Sequence, residues 1–150
     1  MKFFYRSEFS SKTSLRPGEV ECLLVNTTGE LKSFYEPATV AFVGKSLTAR
    51  GGQNPIEPGA LGKAVVLGPN MQNFEDVTRI FLKEDAMVQV NDASELEKTI
   101  SDLLADEKRR DELGRNALKV VAENLGALDR TVEIILGQLK ARGIYVAPAK

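Results

Sequence analysis

The 150-residue chain contains no histidine. Histidine is the commonest metal ligand among side chains and the one that titrates near physiological pH. Its absence excludes Ser-His and Cys-His nucleophile systems built from this chain alone. Acid-base chemistry would therefore have to use Asp, Glu, Lys or Tyr, or a base supplied by residues outside this sequence.

Cysteine, excess charge and long apolar runs are also lacking. The single cysteine, Cys22, cannot form an internal disulfide, and its apolar surroundings predict a small buried residue in a reducing, cytoplasmic setting. Twenty basic against twenty-one acidic residues leave a net charge of -1, which argues against a nucleic-acid partner. No apolar run approaches the roughly 20 residues of a transmembrane helix. The first residues, MKFFYRSEF, are too short and too polar for a signal peptide.

What remains is an ordinary globular composition, with 43% hydrophobic and 27% charged residues. The length suits one domain with a proper hydrophobic core. A membrane protein or a disordered tail is therefore disfavoured.

The most informative stretch covers residues 43–57, VGKSLTARGGQNPIE. It leaves an apolar run, crosses a loop with three glycines and reaches Asn54-Pro55, where a helix should begin. Such a junction presents unpaired backbone N–H groups and the positive end of a helix dipole at one point. Because Lys45 and Arg50 lie in the same loop, the stretch predicts a site for a phosphate or carboxylate group.

The end of this stretch has a second explanation. With Asn54 as the N-cap, Pro55 falls at the first helical position and Glu57 at the position that completes a capping box. That pattern explains the sequence without any ligand. Alternatively, the Glu57 carboxylate accepts hydrogen bonds from two vicinal ribose hydroxyls while the loop N–H groups bind the phosphate. The two explanations are compatible.

Short apolar runs alternate with helical patterns along the chain. The runs predict strands at 21–26, 38–43, 64–67 and 87–90, and the periodic segments predict helices at 30–35, 55–61, 73–84, 94–105, 107–123 and 128–142. This alternation favours an α/β fold with a parallel sheet, its strands buried on both faces, and right-handed crossovers. The predicted organisation is a loop or extended segment at 1–20, one α/β domain at 21–142 ending in a helical tail, and an irregular tail at 143–150.

Three loops, at 28–30, 50–57 and 68–73, follow predicted strands. Ligands of parallel α/β sheets bind beyond the carboxyl ends of the strands, so we expect the three loops to converge there. Simpler roles exist for two of their residues. Glu30 could be an exposed first-turn acid that stabilises its helix dipole, and Asn73 could be the N-cap of the helix that it opens.

Several segments together resemble one known family. They are YRSE near the start, LLVNTTGELKSFYEPATVAFVGKSL, RGGQNPIEPGALGKAVVLGPNMQNF, and a helical tail with DLLADEKRRDELGRNA and NLGALDRT. In this order, over residues 5–139, they resemble the C-terminal half of the 3-deoxy-D-manno-octulosonic acid (Kdo) transferases of lipopolysaccharide biosynthesis. The resemblance implies a Rossmann-like parallel sheet with flanking helices, forming an incomplete C-terminal domain of a GT-B fold.

The resemblance also implies a binding site for the donor CMP-Kdo, with no cofactor and no metal. Its CMP part would contact Thr28, Gly29, Glu30, Asn54, Pro55, Ile56 and Glu57, with Glu57 holding the ribose. Its phosphate and sugar would be lined by Ser46, Arg50, Gly51 and Gly52. The acceptor would be a lipid A precursor, bound by an N-terminal domain that also supplies the catalytic base, at the inner face of the cell inner membrane.

The chain departs from the family pattern in several places. Gln53 stands where histidine is usual, Asn26-Thr27-Thr28-Gly29 where Asp-Thr-Met-Gly is usual, and Lys45 where a second glycine is frequent. The acceptor domain has no counterpart in this sequence, so we expect a donor-binding part that is inactive alone. The alternatives are a noncatalytic nucleotide-binding or interaction module derived from the family, and a transferase using another nucleotide sugar. Loss of neighbouring strands would expose a sheet edge, which predicts self-association.

Overall fold

The structure is a computed structural model that describes residues 2–10, 13, 16, 18–124 and 127–143. It divides into two compact units, Met1–Ala38 and Thr39–Lys150. The predicted domain boundaries after residues 20 and 142 stay predictions. Of the predicted irregular tail, residues 144–150 lie outside the described residues.

The first unit is built on a pair of parallel strands. Its elements are β1 (Phe3–Tyr5), a 3-10 helix (Arg6–Glu8), β2 (Cys22–Leu24) and α1 (Leu31–Tyr35). β1 and β2 pair in parallel, with Phe3 opposite Cys22 and Tyr5 opposite Leu24. The segment expected to be a loop or extended therefore contributes a strand, and its partner is the first strand predicted from the sequence.

One face of this strand pair is apolar and exposed. Residues opposite each other in a parallel pair lie on the same face; on this face Phe3, Tyr5 and Leu24 are 53%, 38% and 48% exposed. Cys22 is only partly buried. The predictions of a strand buried on both faces and of a buried cysteine are therefore wrong at β2. The self-association expected from exposed strands stays a prediction.

The second unit holds a three-stranded parallel sheet in the order β3-β4-β5. Its strands are β3 (Val40–Phe42), β4 (Ala64–Leu67) and β5 (Val88–Gln89), and its helices are α2 (Ile56–Ala60), α3 (Glu75–Lys83), α4 (Ala93–Ala105), α5 (Glu107–Asn124) and α6 (Ala127–Ala141), with a 3-10 helix at Gln72–Phe74. All of these α/β elements overlap predicted ones. The described strands form two sheets, however, instead of the single predicted sheet. None of the helices in the described ranges combines the length and apolar character needed to cross a membrane.

The core of the second unit lies on both faces of β4, whose four residues are all buried. Because side chains alternate along a strand, they divide between two clusters. One cluster contains Val43, Val65, Leu67, Met71, Phe81, Ala86, Met87, Ala117 and Val120, and the other contains Ala64, Val66, Val90, Leu103 and Leu113. Val43 directly follows β3, and Met71 lies just beyond β4. The core therefore reaches the segments that leave the carboxyl edge of the sheet and fixes their positions.

An ion pair joins α5 to the turn between α3 and β5. Arg109 donates from both terminal nitrogens to the carboxylate of Asp85, at 2.6 Å each. Asp85 has a left-handed backbone, with φ 49°, and its carbonyl accepts a hydrogen bond from Asn116 at 3.0 Å. The hydrogen bonds between the two charged side chains lower the pKa of Asp85 and raise that of Arg109. The two-pronged geometry therefore stabilises a strained turn.

We expect Arg109→Met to lower the free energy of unfolding by about 1 kcal/mol, at the upper end for partly exposed ion pairs, because two charge-assisted hydrogen bonds to Asp85 and a third to Glu112 are lost. The matched control is Arg79→Met. Arg79 pairs with Asp76 on an open helix surface, where the side chains are 75% and 87% exposed, and its removal should cost almost nothing. Denaturant unfolding of the three proteins measures both differences.

The cost of Arg109→Met should also depend on pH. A carboxylate whose pKa is lowered by folding contributes stability only while it is ionised. The difference between wild type and variant should therefore be full near neutral pH and shrink as pH falls below 3.8, the ordinary Asp value. A difference that is constant down to acid pH would show that the ion pair is not its source.

Candidate functional site

In the first unit, the segments that follow β1 and β2 bond to each other. The backbone N–H of Ser7 donates to Asn26 Oδ1 at 3.0 Å, and Asn26 Nδ2 donates to Ser7 Oγ at 2.9 Å. A second link, 2.7 Å long, joins Arg6 Nη2 to Glu30 Oε1. These contacts lie beyond the carboxyl ends of a parallel strand pair, which is where α/β proteins place ligands.

The Glu30 carboxylate is engaged at both oxygens. Arg6 binds Oε1, and the hydroxyl of Thr27 donates to Oε2. The hydrogen bond from Thr27, together with the charge of Arg6, lowers the pKa of Glu30. Glu30 stands at the N-cap position of α1, but its side chain makes no capping hydrogen bond there. It is therefore a partner of two neighbouring side chains rather than a free first-turn acid.

An open cleft of about 670 Å³ lies beside these contacts. It is lined by Arg6, Ser7, Phe9, Asn26, Thr27, Thr28 and Glu30. Thr28 is exposed, and Gly29, which follows it, has φ 82°. Of the three first-unit residues assigned to the nucleotide by resemblance, Thr28 and Glu30 thus line a polar cleft.

In the second unit, the segment between β3 and α2 is bonded to the turn after β4. We call residues 43–55 the glycine loop and residues 68–71 the β4 turn. The buried hydroxyl of Ser46 donates to the carbonyl of Val43 at 2.6 Å and accepts from the N–H of Gly68 at 2.7 Å. The Ser46 carbonyl accepts from the N–H of Asn70 at 2.9 Å. The side chain of Ser46 therefore joins the two segments and is enclosed by them.

Gly51 and Gly52 are buried on the inner side of the glycine loop. Both have a left-handed backbone, with φ 112° and 66°. The Gly51 N–H donates to Gln72 Oε1 at 2.8 Å, and the Gly51 carbonyl accepts from the N–H of Asn73 at 3.3 Å. The prediction that the loop leaves unpaired N–H groups for an anion is therefore wrong at Gly51, because a side chain of the same unit already occupies that donor.

The start of α2 differs from the predicted capping box. Asn54 Oδ1 accepts from the N–H of Ile56 at 3.0 Å, and Asn54 Nδ2 donates to Glu57 Oε1 at 3.0 Å. The N-cap position falls on Pro55, one residue later than expected, and makes no side-chain capping bond. The bond from Ile56 is nevertheless the contact expected of Asn54 as a cap, and the half of the capping box that is absent is the one from Glu57, which bonds to the Asn54 side chain. Glu57 itself is exposed, and in the described part of the chain no hydrogen bond occupies its other carboxylate oxygen.

Asn73 also has a different place from the predicted one. It lies inside the 3-10 helix Gln72–Phe74 rather than capping α3, whose N-cap is Phe74 without a side-chain bond. Its amide and the amine of Lys45 approach Gly51. A Cβ added to Gly51 would lie 3.0 Å from Asn73 Nδ2 and 3.6 Å from Lys45 Nζ. The glycine therefore leaves room for polar side chains beside the loop.

The exposed side chains of the glycine loop and of the first turn of α2 carry the groups that are free to bind a ligand. Lys45, Arg50, Gln53 and Glu57 are all exposed. Two cations suit anionic groups, and a carboxylate oxygen suits hydroxyl donors. α2 has five residues, so a helix dipole adds little here, and the side chains supply most of the binding chemistry. Within the described residues no cluster of three metal-ligating side chains is present.

Sequence reasoning missed three residues of these sites. Arg6 and Asn26 link two segments that are more than fifteen residues apart, and Gln72 reaches back to Gly51. Arg6 lies in the YRSE segment used for the resemblance, which was its only signal. Gln72 lies in the loop 68–73 that was expected to meet the loop 50–57, and its bond to Gly51 confirms that these two loops meet, although no pattern singled out Gln72 itself.

No protein-family model matches the chain. Among solved structures, the chain is similar to the C-terminal CMP-Kdo binding domain of WaaA from Acinetobacter baumannii, with a TM-score of 0.71 and 30% identity. The match covers 80% of this chain and 61% of that one. The similarity includes sequence as well as fold.

Curated relatives agree with the structural match. The chain is 34% identical over 125 residues to 3-deoxy-D-manno-octulosonic acid transferase of Haemophilus influenzae, covering 82% of this chain and 29% of that protein. It is 36% identical over 126 residues to the transferase of Bordetella pertussis, covering 83% and 29%. The chain therefore spans less than a third of the length of these relatives.

We expect Gly68→Ala to destabilise the second unit by about 3 kcal/mol, the upper range for overpacking. A Cβ on Gly68 would lie 2.4 Å from the backbone oxygen of Ser46, so the glycine loop and the β4 turn would have to separate. Gly44→Ala is the matched control, since its Cβ would have no atom within 4 Å. Equal unfolding free energies of the two variants would contradict the close approach.

We expect the carboxyl group of Glu30 to titrate below 4.5, its ordinary value, in an NMR pH titration of the side-chain carboxyl carbon. Thr27→Val should raise this midpoint, because the hydrogen bond from the Thr27 hydroxyl is the largest cause of the lowered pKa of Glu30. A carboxylate of lowered pKa stabilises the folded state above its ordinary pKa, and this contribution is lost as pH falls through the lowered value. An unchanged midpoint in Thr27→Val would contradict the contact.

Proposed function

The chain belongs to the family of 3-deoxy-D-manno-octulosonic acid (Kdo) transferases, and from this relationship we propose that it is the donor-binding part of a glycosyltransferase. The donor is CMP-Kdo. The sequence lacks a histidine that could act as general base, and we propose that the base lies on the N-terminal domain of the complete enzyme. On this proposal the chain alone does not transfer sugar.

The observation that carries the proposal is the match to the CMP-Kdo binding domain of WaaA. It combines 30% identity with a TM-score of 0.71 over 80% of the chain. The exposed groups of the second unit are chemically suited to such a donor. CMP-Kdo bears hydroxyls on its ribose and two anionic groups, a phosphate and the sugar carboxylate.

Glu57 is the proposed ribose contact. Asn54 holds one carboxylate oxygen at 3.0 Å, which fixes the side chain and leaves the other oxygen to accept hydroxyl protons. A pre-oriented carboxylate loses less rotamer freedom on binding than a free one. Pro55 is fully buried, so it and Ile56 are proposed to shape the site rather than to hydrogen-bond the nucleotide.

Arg50 and Lys45 are the proposed partners of the anionic groups of the donor. The positive charges of these two exposed side chains would attract the anionic donor. Gly51, Gly52 and Ser46 are proposed to act by holding the loop, since their groups are buried or already bonded. The assignment of Thr28, Gly29 and Glu30 to the nucleotide remains part of the proposal for the first unit.

The complete enzyme is proposed to transfer Kdo to a lipid A precursor in lipopolysaccharide biosynthesis. A base activates an acceptor hydroxyl, which attacks the anomeric carbon with inversion as CMP departs. We propose that this step takes place at the inner face of the cell inner membrane, where the lipid acceptor would lie. The proposed reaction uses no cofactor beyond its donor substrate.

The proposal is tested by NMR titration of the labelled chain with CMP, UMP and GMP. CMP should selectively shift the signals of residues 50–57. Glu57→Ala should weaken CMP binding at least tenfold, about 1.4 kcal/mol, because a hydrogen-bonded charged group is removed. The matched control is Glu97→Ala, which removes another exposed carboxylate, in α4, and should leave the affinity unchanged.

The outcomes distinguish the alternatives. Equal affinity for all three nucleotides, or preference for UMP or GMP, contradicts the CMP donor and favours another nucleotide sugar. Selective CMP binding without transfer when an acceptor domain is added favours a noncatalytic module, to which the amide of Gln53 in place of histidine would contribute. Kdo transfer by the chain alone would contradict a base located outside it.

A further inference from the structure

Arg6 is held in one orientation by two acceptors of the first unit. Its Nη1 donates to the carbonyl of Phe9 at 3.1 Å, and its Nη2 donates to Glu30 Oε1 at 2.7 Å. These bonds use two of the five N–H groups of a guanidinium. The Arg6 side chain stays 31% exposed and lines the cleft. Part of its donor set is therefore open to a ligand.

Glu30, unlike Arg6, has no side-chain polar atom without a hydrogen-bond partner. Both of its carboxylate oxygens are bonded inside the unit, one to Arg6 and one to the hydroxyl of Thr27. A ligand hydroxyl that bonded to Glu30 would have to share or displace one of these donors. The geometry favours a role in which Glu30 orients the guanidinium and does not itself contact the ligand.

Two hydroxyls of the cleft, those of Ser7 and Thr28, can offer protons to a ligand, whereas the hydroxyl of Thr27 already donates to Glu30. Ser7 Oγ accepts from Asn26 Nδ2 at 2.9 Å, which directs the hydroxyl proton of Ser7 elsewhere. Thr28 adds an exposed hydroxyl. Of the residues that line the cleft, Arg6 is the one with a positive charge. A guanidinium beside hydroxyl donors matches the several acceptor oxygens of a phosphate group.

We propose that this cleft binds a phosphate group through Arg6, and that Glu30 is a positioning residue for Arg6. The inference rests on the proposed function only for the source of the ligand, which would be the phosphate of CMP-Kdo. The contact with the phosphate itself follows from the donor set of the cleft. Because Glu30 offsets the charge of Arg6, inorganic phosphate should bind weakly, with a dissociation constant of about 1 mM.

The test is an NMR titration of the 150-residue chain with three ligands, inorganic phosphate, CMP and cytidine, while the side-chain Nε–Hε signal of Arg6 is followed. Phosphate and CMP should both shift this signal and the backbone signals of residues 26–30. Cytidine, which lacks the phosphate, should leave the Arg6 signal unmoved. These measurements use the wild-type chain and so do not depend on the folding of any variant.

Variants separate binding from positioning. Arg6→Lys should weaken phosphate binding at least tenfold, since the forked geometry is lost while the charge is kept. Arg79→Lys, in the second unit, is the matched control and should have no effect. Glu30→Gln should shift the Arg6 signal in the absence of ligand and weaken phosphate binding severalfold. Tighter phosphate binding by Glu30→Gln would show that Glu30 merely repels the anion and would overturn the positioning role.

The ligands also distinguish this inference from the proposed function. CMP binding that leaves the Arg6 signal unmoved would support the CMP donor and overturn the phosphate contact. Phosphate shifts at Arg6 without any CMP binding would support the phosphate contact and contradict the CMP donor. Phosphate shifts confined to Lys45 and Arg50 would overturn the inference.

Discussion

The functional edge of the second unit depends on one buried hydroxyl. Ser46 has no exposed surface, and its hydroxyl both donates to Val43 and accepts from Gly68. A buried hydroxyl left unpaired would cost about 1–3 kcal/mol, so the glycine loop and the β4 turn are held together as much by this requirement as by apolar contact. This close approach of the two segments also requires a glycine at position 68, because a Cβ there would overlap the Ser46 backbone. The resemblance predicted Ser46 as a ligand contact, which stays a prediction; its bonds hold the loop that carries the exposed cations.

Because the Ser46 hydrogen bonds hold the glycine loop to the β4 turn, the inner and outer residues of the loop have different roles. The polar groups of its inner residues form hydrogen bonds with the β4 turn and with the segment beyond it, as Gly51 does with Gln72. Its outer residues, Lys45 and Arg50, remain exposed. A loop fixed on one side can present charged groups on the other without ordering itself again when a ligand arrives, which lowers the entropy cost of binding. Rigid support and a charged outer face are therefore two aspects of one arrangement.

The sequence predicted well what local pattern determines. β4 was predictable because four consecutive apolar residues between turn signals have few alternatives to a buried strand, and the structure buries all four. β1 was not, since three residues, FFY, carry no measurable period. The bond from Arg6 to Glu30 spans 24 positions, and no spacing rule connects residues that far apart. The same holds for Gln72 and Gly51. Positions of backbone elements were thus readable from the chain, whereas the hydrogen bonds that tune the two candidate sites needed the folded structure.

The hydrogen bonds of Asn54 and Glu57 bear on the two explanations of the sequence Asn-Pro-Ile-Glu, a helix cap and a ligand contact. A capping box would have turned both side chains toward backbone donors, and Glu57 would then serve the helix. Instead Asn54 satisfies the N–H of Ile56 alone, and its amide orients the Glu57 carboxylate. α2 has five residues, too few for a helix whose stability would justify two dedicated capping side chains. Glu57 is thus held in place at little benefit to the helix, with one oxygen turned to no described partner. That arrangement is better suited to a ligand that brings its own hydroxyls than to a helix that needs only a cap.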